Sequence, residues 1–113
     1  MADQKLVLES LTGRSDEHRI LRLNGPLTLT NIFEFQAAVR ADAAPLLIID
    51  LTEVPYIDSA GIGALIGASV TRKKDGRRLA LVGANERVIT VLKITNVESF
   101  FSLFPTVDQA EQG

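Results

Sequence analysis

Ser59 is the residue whose surroundings most clearly suggest chemistry. It follows a largely apolar run, residues 46–51, and a short loop, and it opens a stretch of small residues with a helical pattern. The first turn of a helix has free backbone N–H groups, and the helix dipole favours negative charge there. A phosphate on the Ser59 hydroxyl would be stabilised at this position, so the sequence predicts Ser59 as a candidate switch.

A serine hydrolase is the second chemistry that Ser59 could serve. Residues 57–61 include the trailing Gly61 of a nucleophile elbow but lack the leading glycine. The only histidine of the chain, His18, falls at the start of the second predicted strand. A serine nucleophile needs a base within hydrogen-bond distance, and an isolated histidine on a strand is more often solvated. Acyl-transfer catalysis is therefore not expected.

Gly61, Gly63 and Gly67 invite comparison with a dinucleotide-binding loop, but the spacing does not fit. Three residues rather than two separate Gly63 from Gly67, and seven residues separate the apolar run from Ser59. Each glycine costs about 1 kcal/mol relative to alanine inside a helix, so these positions need another reason. Close packing of the helix on the sheet is one explanation. A flat surface for a partner protein is the other, and both can apply to different faces.

The N-terminal cap of this helix is either Ser59 or Asp58, because both residue types accept hydrogen bonds from first-turn N–H groups. If Asp58 is the cap, the Ser59 hydroxyl remains free for solvent or for a partner. A cap formed by Asp58 would therefore leave Ser59 accessible to a kinase.

Alternating strand and helix patterns predict an α/β fold. The expected strands are residues 5–11, 19–23, 46–51, 79–83 and 100–104, and the first two form a hairpin. A helix is expected after each strand from the second to the fifth. Asn85 should cap the third of these helices and Thr106 the fourth. The prediction is a single domain over residues 1–113, with a mixed sheet of four to five strands packed against about four helices.

Two of these helices have more detailed patterns. The first should be capped at Thr30 or Asn31, with Glu34 returning to the cap, and should end near residues 44–45. The second should bury one face that includes Ile62, Leu65, Ile66 and Val70. Its basic end, residues 72–78, is closed by a glycine at position 76.

Composition narrows the function classes. The 113 residues contain no cysteine, so thiolate metal sites and disulfides are excluded, and we expect neither a metal nor a cofactor. The formal net charge is −2, and the basic residues 72–78 fit a helix end better than a nucleic-acid surface. The longest apolar run is broken by glycines and is too short for a membrane span. The start of the chain does not resemble a signal peptide, so a cytoplasmic location is expected.

The chain resembles a known family, the STAS domains of anti-sigma factor antagonists. The most specific similarity lies in residues 57–63 together with residues 48–51, which match the family's strand, loop and Asp-Ser-x-Gly helix start. Residues 21–27 are similar to its second strand and turn, and residues 81–83 to its fourth strand. The resemblance covers nearly the whole chain.

The resemblance implies a partner-switching protein that is not an enzyme. In its unphosphorylated form it would bind an anti-sigma factor that is also a serine kinase, and so free a sigma factor for transcription. Phosphorylation of Ser59 would end that binding, and a serine phosphatase acting on phosphorylated Ser59 would restore it. The implied partner-binding residues form two groups: Leu27 and Thr28 after the second strand, and Asp58, Ser59, Ala60, Gly61, Ile62 and Gly63 at the helix start.

The sequence departs from the family pattern at two places. An acidic residue often present in the partner-facing loop is absent near Leu27 and Thr28, and Ala60 stands where a second hydroxyl residue often follows the serine. Ser59 is thus the sole candidate phosphosite here. The rival interpretation is a STAS accessory subunit of a lipid or anion transporter, or a scaffold of a stress-sensing complex.

Overall fold

The central sheet follows from strand segments that are apolar on one or both faces. In the computed structural model, which describes residues 5–113, the chain alternates strands and helices as the sequence predicts. The strands are β1 (Val7–Thr12), β2 (His18–Asn24), β3 (Leu46–Glu53), β4 (Arg78–Val82) and β5 (Ser102–Phe104). The helices are α1 (Ile32–Ala41), α2 (Ser59–Lys74), α3 (Glu86–Ile94) and α4 (Val107–Gln112), and a 3₁₀ helix spans Glu98–Phe100.

The five strands lie in the sheet in chain order, β1 to β5. The β1–β2 hairpin is antiparallel, and the pairs β2–β3, β3–β4 and β4–β5 are parallel. Each parallel connection leads to the next strand on the same side of the previous one. Because such crossovers are right-handed, their helices all lie on one face of the sheet. The predicted mixed sheet and hairpin are confirmed.

The core is divided by the sheet into two unequal parts. On one face, side chains from α1, α2 and α3 join the inward-facing residues of the strands in the larger cluster. On the other face, α4 covers a smaller cluster that includes Ile20, Ile48 and Val82. Residues 46–50 of β3 are buried on both faces, as expected for a central strand.

Three local predictions are wrong. Asn31 does not cap α1 with its side chain, because its amide turns back to the preceding loop, accepting from Thr28 N at 2.8 Å and donating to Pro26 O at 2.7 Å. Helix α1 ends at Ala41, short of the predicted end. β5 is limited to three residues, since Phe100 ends the 3₁₀ helix and Phe101 is its C-cap.

The buried face of α2 is also displaced from the predicted one. Ile62 and Leu65 are buried, but Val70 is 51% exposed. Ser69 and Arg72 are buried instead, because their polar groups find backbone acceptors within the structure. Gly76, with φ of 73°, closes the helix as predicted.

Candidate functional site

Ser59 lies just beyond the carboxyl end of β3, at the first position of α2. Asp58 is the N-cap of the helix, since its Oδ1 accepts a hydrogen bond from Gly61 N at 2.8 Å. The choice between the two caps is therefore settled in favour of Asp58. Ser59 is exposed, and its hydroxyl makes no hydrogen bond within the described part of the chain. It is available to solvent or to another molecule.

The loop after β2 runs beside the loop that leads to Ser59. Leu27 N donates to Tyr56 O and Asp58 N donates to Leu27 O, each at 3.3 Å, which makes a short parallel bridge between Leu27 and Ile57. The two sequence segments that the resemblance assigned to partner binding, residues 27–28 and 58–63, are thereby neighbours.

The Asp58 carboxylate connects these two segments directly. While Oδ1 caps α2, Oδ2 accepts a hydrogen bond from Leu29 N at 3.1 Å. In the same loop, the Thr28 and Thr30 hydroxyl oxygens are 3.1 Å apart. Asp58 thus fixes the position of the loop relative to the helix start.

The glycines of α2 have two different roles. Gly61 is buried, and a Cβ atom there would collide with the carbonyl oxygen of Leu27. Close packing therefore explains Gly61, although the helix meets a loop there and not the sheet itself. Gly63 and Gly67 are exposed, and a Cβ atom at either would meet open space. Packing does not account for these two residues.

The residues assigned to the site differ in accessibility. Ser59 and Gly63 are exposed, whereas Asp58, Ala60 and Thr28 are half-buried. Leu27 and Ile62 are buried in the larger core cluster, so their side chains anchor the loop and the helix start to the core.

Two exposed apolar side chains in the segment that follows Thr28 were not predicted from the sequence. Leu29, whose N–H bonds to Asp58, is 63% exposed, and Phe33 on the first turn of α1 is 70% exposed. A signal for Phe33 was present in the sequence, because it falls out of phase with Ile32, Phe35 and Val39 on the buried face of α1. A contiguous patch of exposed apolar side chains is typical of protein interaction sites.

His18 is distant from Ser59. His18 lies at the start of β2 and pairs in register with Leu46, at the end of the sheet opposite to Ser59. Its Nδ1 is 2.8 Å from Glu111 Oε2, so the imidazole is bound to α4. Among residues 5–113, no three His, Asp or Glu side chains form a group that could hold a metal ion. No helix within the same span is both long and apolar enough to cross a membrane.

The five-stranded mixed sheet, with three helices on one face and α4 on the other, defines a single α/β domain. The family model of the STAS domain matches residues 11–110, and the chain belongs to that family. An anti-sigma-B factor antagonist of Listeria monocytogenes is 34% identical to it over 58 residues. This segment is 51% of the chain and 51% of that relative, about half the length of each.

Solved structures agree with this assignment. A protein of Thermotoga maritima, described as a candidate anti-sigma factor antagonist, superimposes with a TM-score of 0.85 at 25% identity, over 93% of this chain and 92% of that one. The phosphorylated form of SpoIIAA, a Bacillus cell fate determinant, has the same fold at 18% identity, with a TM-score of 0.69 and coverage of 96% and 97%.

Proposed function

We propose that this protein is an anti-sigma factor antagonist that is controlled by phosphorylation of Ser59. Unphosphorylated, it binds an anti-sigma factor with serine kinase activity and so releases a sigma factor. A serine phosphatase reverses the modification. The assignment is supported by membership in the STAS family and by the similarity to antagonists of other bacteria.

The observation that carries the proposal is the exposed Ser59 next to a loop that presents the exposed Leu29, with the exposed Phe33 on the helix that follows this loop. We call Leu29, Phe33, Ser59 and Gly63 the docking surface. Asp58 holds its two halves together through its hydrogen bonds to Leu29 N and Gly61 N. Leu27 and Ile62 keep the loop and helix in place from the core. A partner covering this surface would bury Leu29 and Phe33 and come into contact with the Ser59 hydroxyl.

Phosphorylation would oppose such docking for electrostatic reasons. A phosphoserine carries about −1.5 to −2 charges, and here it would stand beside the Asp58 carboxylate. The N-terminal N–H groups of α2 would stabilise the phosphate while it remains solvated. A partner surface matched to apolar residues would have to desolvate it, which is costly. A hundredfold loss of affinity requires only about 2.7 kcal/mol.

The chain acts in this scheme as a binding protein and as the substrate of a kinase, not as an enzyme. The separation of His18 from Ser59 to opposite ends of the sheet supports this interpretation. The partners are proteins, nucleic acid is not contacted directly, and the switch operates in the cytoplasm without a metal or cofactor of its own. The domain bounds 1–113 stay a prediction.

Affinity capture from a lysate of the source organism tests the proposal. The baits are the wild-type chain, Ser59→Asp, and a matched control, Ser15→Asp, which places the same charge on an exposed serine of the β1–β2 turn. We expect wild type and the control to retain a serine-kinase anti-sigma factor that Ser59→Asp does not retain. Identification is by mass spectrometry, and circular dichroism confirms that all three baits are folded.

Equal capture of transporter subunits by all three baits would contradict the proposal. That result would instead support the accessory-subunit alternative, in which Ser59 has no switching role. Loss of folding in Ser59→Asp would indicate that Ser59 is structural, and the comparison would then be repeated with enzymatically phosphorylated protein.

A further inference from the structure

A wedge-shaped cavity lies where the start of β4 diverges from the segment that enters β5. β5 pairs only with Ala80 to Val82, so the first residues of β4 have no strand beside them on that edge. Ser69 Oγ donates to Phe100 O at 3.0 Å and holds the 3₁₀ helix to α2. The cavity between these segments has a volume of about 320 Å³. Pockets for small molecules begin at roughly this size.

The cavity has an apolar lining and a group of basic residues that we call its rim. The apolar residues that line it come from both faces of the sheet edge: Leu46, Leu79, Ala80, Phe100, Phe101 and Phe104. Three basic side chains contribute to the same lining, Lys73 from α2 and Arg77 and Arg78 from the turn and the start of β4. Among the described residues that line it, no Asp or Glu is present.

Each basic residue of the rim keeps N–H donors without a partner among the described residues. Arg72 is buried and donates to backbone carbonyls, so it does not belong to the rim. Arg77 lies 3.7 Å from Asp75 Oδ2, a weak ion pair at the surface. Lys73 has no carboxylate within ion-pair distance in residues 5–113. Arg78 Nη1 donates to Gly113 O at 3.4 Å, and the other N–H groups of this guanidinium make no hydrogen bond within residues 5–113.

We propose that this wedge binds a small organic anion. An apolar, ring-sized body would contact the apolar lining at the edge of β4, and a phosphate or carboxylate group would bind Lys73 and Arg78. Cations that surround an anion in a partly desolvated cleft bind it more strongly than the same cations in water. Lys73 lies fourteen residues after Ser59 on α2, about 21 Å along the helix. The site is therefore separate from the docking surface.

The test is a titration of the isotope-labelled chain with phenyl phosphate, benzoate, phenol and inorganic phosphate, followed by NMR chemical shifts. We expect saturable shifts at residues 69–80 and 99–104 with phenyl phosphate or benzoate, and which of the two binds more tightly identifies the head group. Phenol and inorganic phosphate, each lacking half of the ligand, should bind at least tenfold more weakly.

Two variants make the result specific. Lys73→Glu with Arg78→Glu should lower the affinity for the organic anion at least tenfold. Lys74→Glu, an exposed lysine next to the rim that does not line the cavity, should leave it unchanged. Dispersed spectra of both variants confirm folding. The proposal is overturned if the organic anions cause no saturable shifts, if inorganic phosphate binds equally well, or if the rim variant binds as tightly as wild type.

Discussion

Asp58 and Ser59 are adjacent residues with separate tasks. Both oxygens of the Asp58 carboxylate accept hydrogen bonds from backbone N–H groups, one from Gly61 N and the other from Leu29 N. This leaves Ser59 exposed with a free hydroxyl, and it also orders the loop that presents Leu29. The residue that builds the site is therefore distinct from the residue proposed to regulate it.

Gly61 and Gly63 offer a test of this geometry with two chemically identical substitutions. Gly61→Ala would press a methyl group against the Leu27 carbonyl and should destabilise the fold by about 1–3 kcal/mol. Gly63→Ala enters open space and should stabilise α2 by up to about 1 kcal/mol. Urea unfolding of both variants measures the difference. Equal effects would show that the loop does not approach the helix at Gly61.

Phe33 and Ile94 form a matched pair for the docking surface. Both are large apolar side chains exposed on helices, at 70% and 78%, but Phe33 belongs to the docking surface and Ile94 lies on α3. Phe33→Ala should weaken binding of the captured anti-sigma factor about tenfold or more, as for a central interface residue. Ile94→Ala should not. Calorimetric titration of each variant with the captured anti-sigma factor measures its affinity. Equal losses of affinity in the two variants would place the interface elsewhere.

At the scale of elements, α2 shows what the sequence could and could not predict. Its start, its closure at Gly76 and its apolar face at Ile62 and Leu65 were predictable from capping residues and spacing. The burial of Arg72 was not, because apolar periodicity gives no indication that distant carbonyls will converge on a guanidinium. Val70 is exposed because it lies outside the helix face that buries Ser69 and Arg72.

Arg72 joins three elements, since its guanidinium donates to the carbonyl oxygens of Asp42, Ala44 and Arg78. Burial lowers the pKa of Arg72, an effect that the Asp42 charge opposes. Arg72→Met should destabilise the fold by at least about 2 kcal/mol, because buried carbonyls lose their donors. The exposed neighbour Lys73→Met should change stability by less than about 0.5 kcal/mol. Thermal and urea unfolding test this, and similar values for both variants would contradict the assigned role.

Helix α4 is held to the β1–β2 turn by charged groups. Glu111 Oε2 accepts from Arg14 N at 2.6 Å and contacts His18 Nδ1 at 2.8 Å, while Arg14 Nη2 binds Asp108. Burial raises the pKa of Glu111, but the hydrogen bonds from His18 and Arg14 and their charges outweigh it, so the pKa is lowered from 4.5.

This lowered pKa predicts a definite pH dependence. Since Glu111 binds protons more weakly when folded, its contribution to stability is present above its unfolded pKa of about 4.5 and is lost as pH falls through the lower folded pKa. Urea midpoints of wild type and Glu111→Gln should differ at pH 6 and converge in acid. A difference that persists unchanged below pH 3 would contradict the role of this carboxylate.

At the scale of the whole molecule, the fold was largely predictable and the docking surface only in part. Strand and helix alternation predicts parallel pairing but not the order of the strands. Because the strands lie in chain order, right-handed crossovers place α1, α2 and α3 on one face. The contact between Leu27 and the loop before Ser59 arises from the sheet order, which brings neighbouring strand ends together. The exposure of Leu29 depends on how that loop turns, which residue spacing alone does not determine.

The most direct test of the central claim measures the affinity of the captured anti-sigma factor for this protein before and after phosphorylation. Calorimetry is done on wild type and on Ser59→Ala, each incubated with the kinase and ATP, and the phosphate is located by mass spectrometry. The account predicts phosphate on Ser59, at least a hundredfold loss of affinity for wild type, and unchanged affinity for Ser59→Ala. Undiminished binding of the phosphorylated wild type, or a phosphate located at another residue, would contradict it.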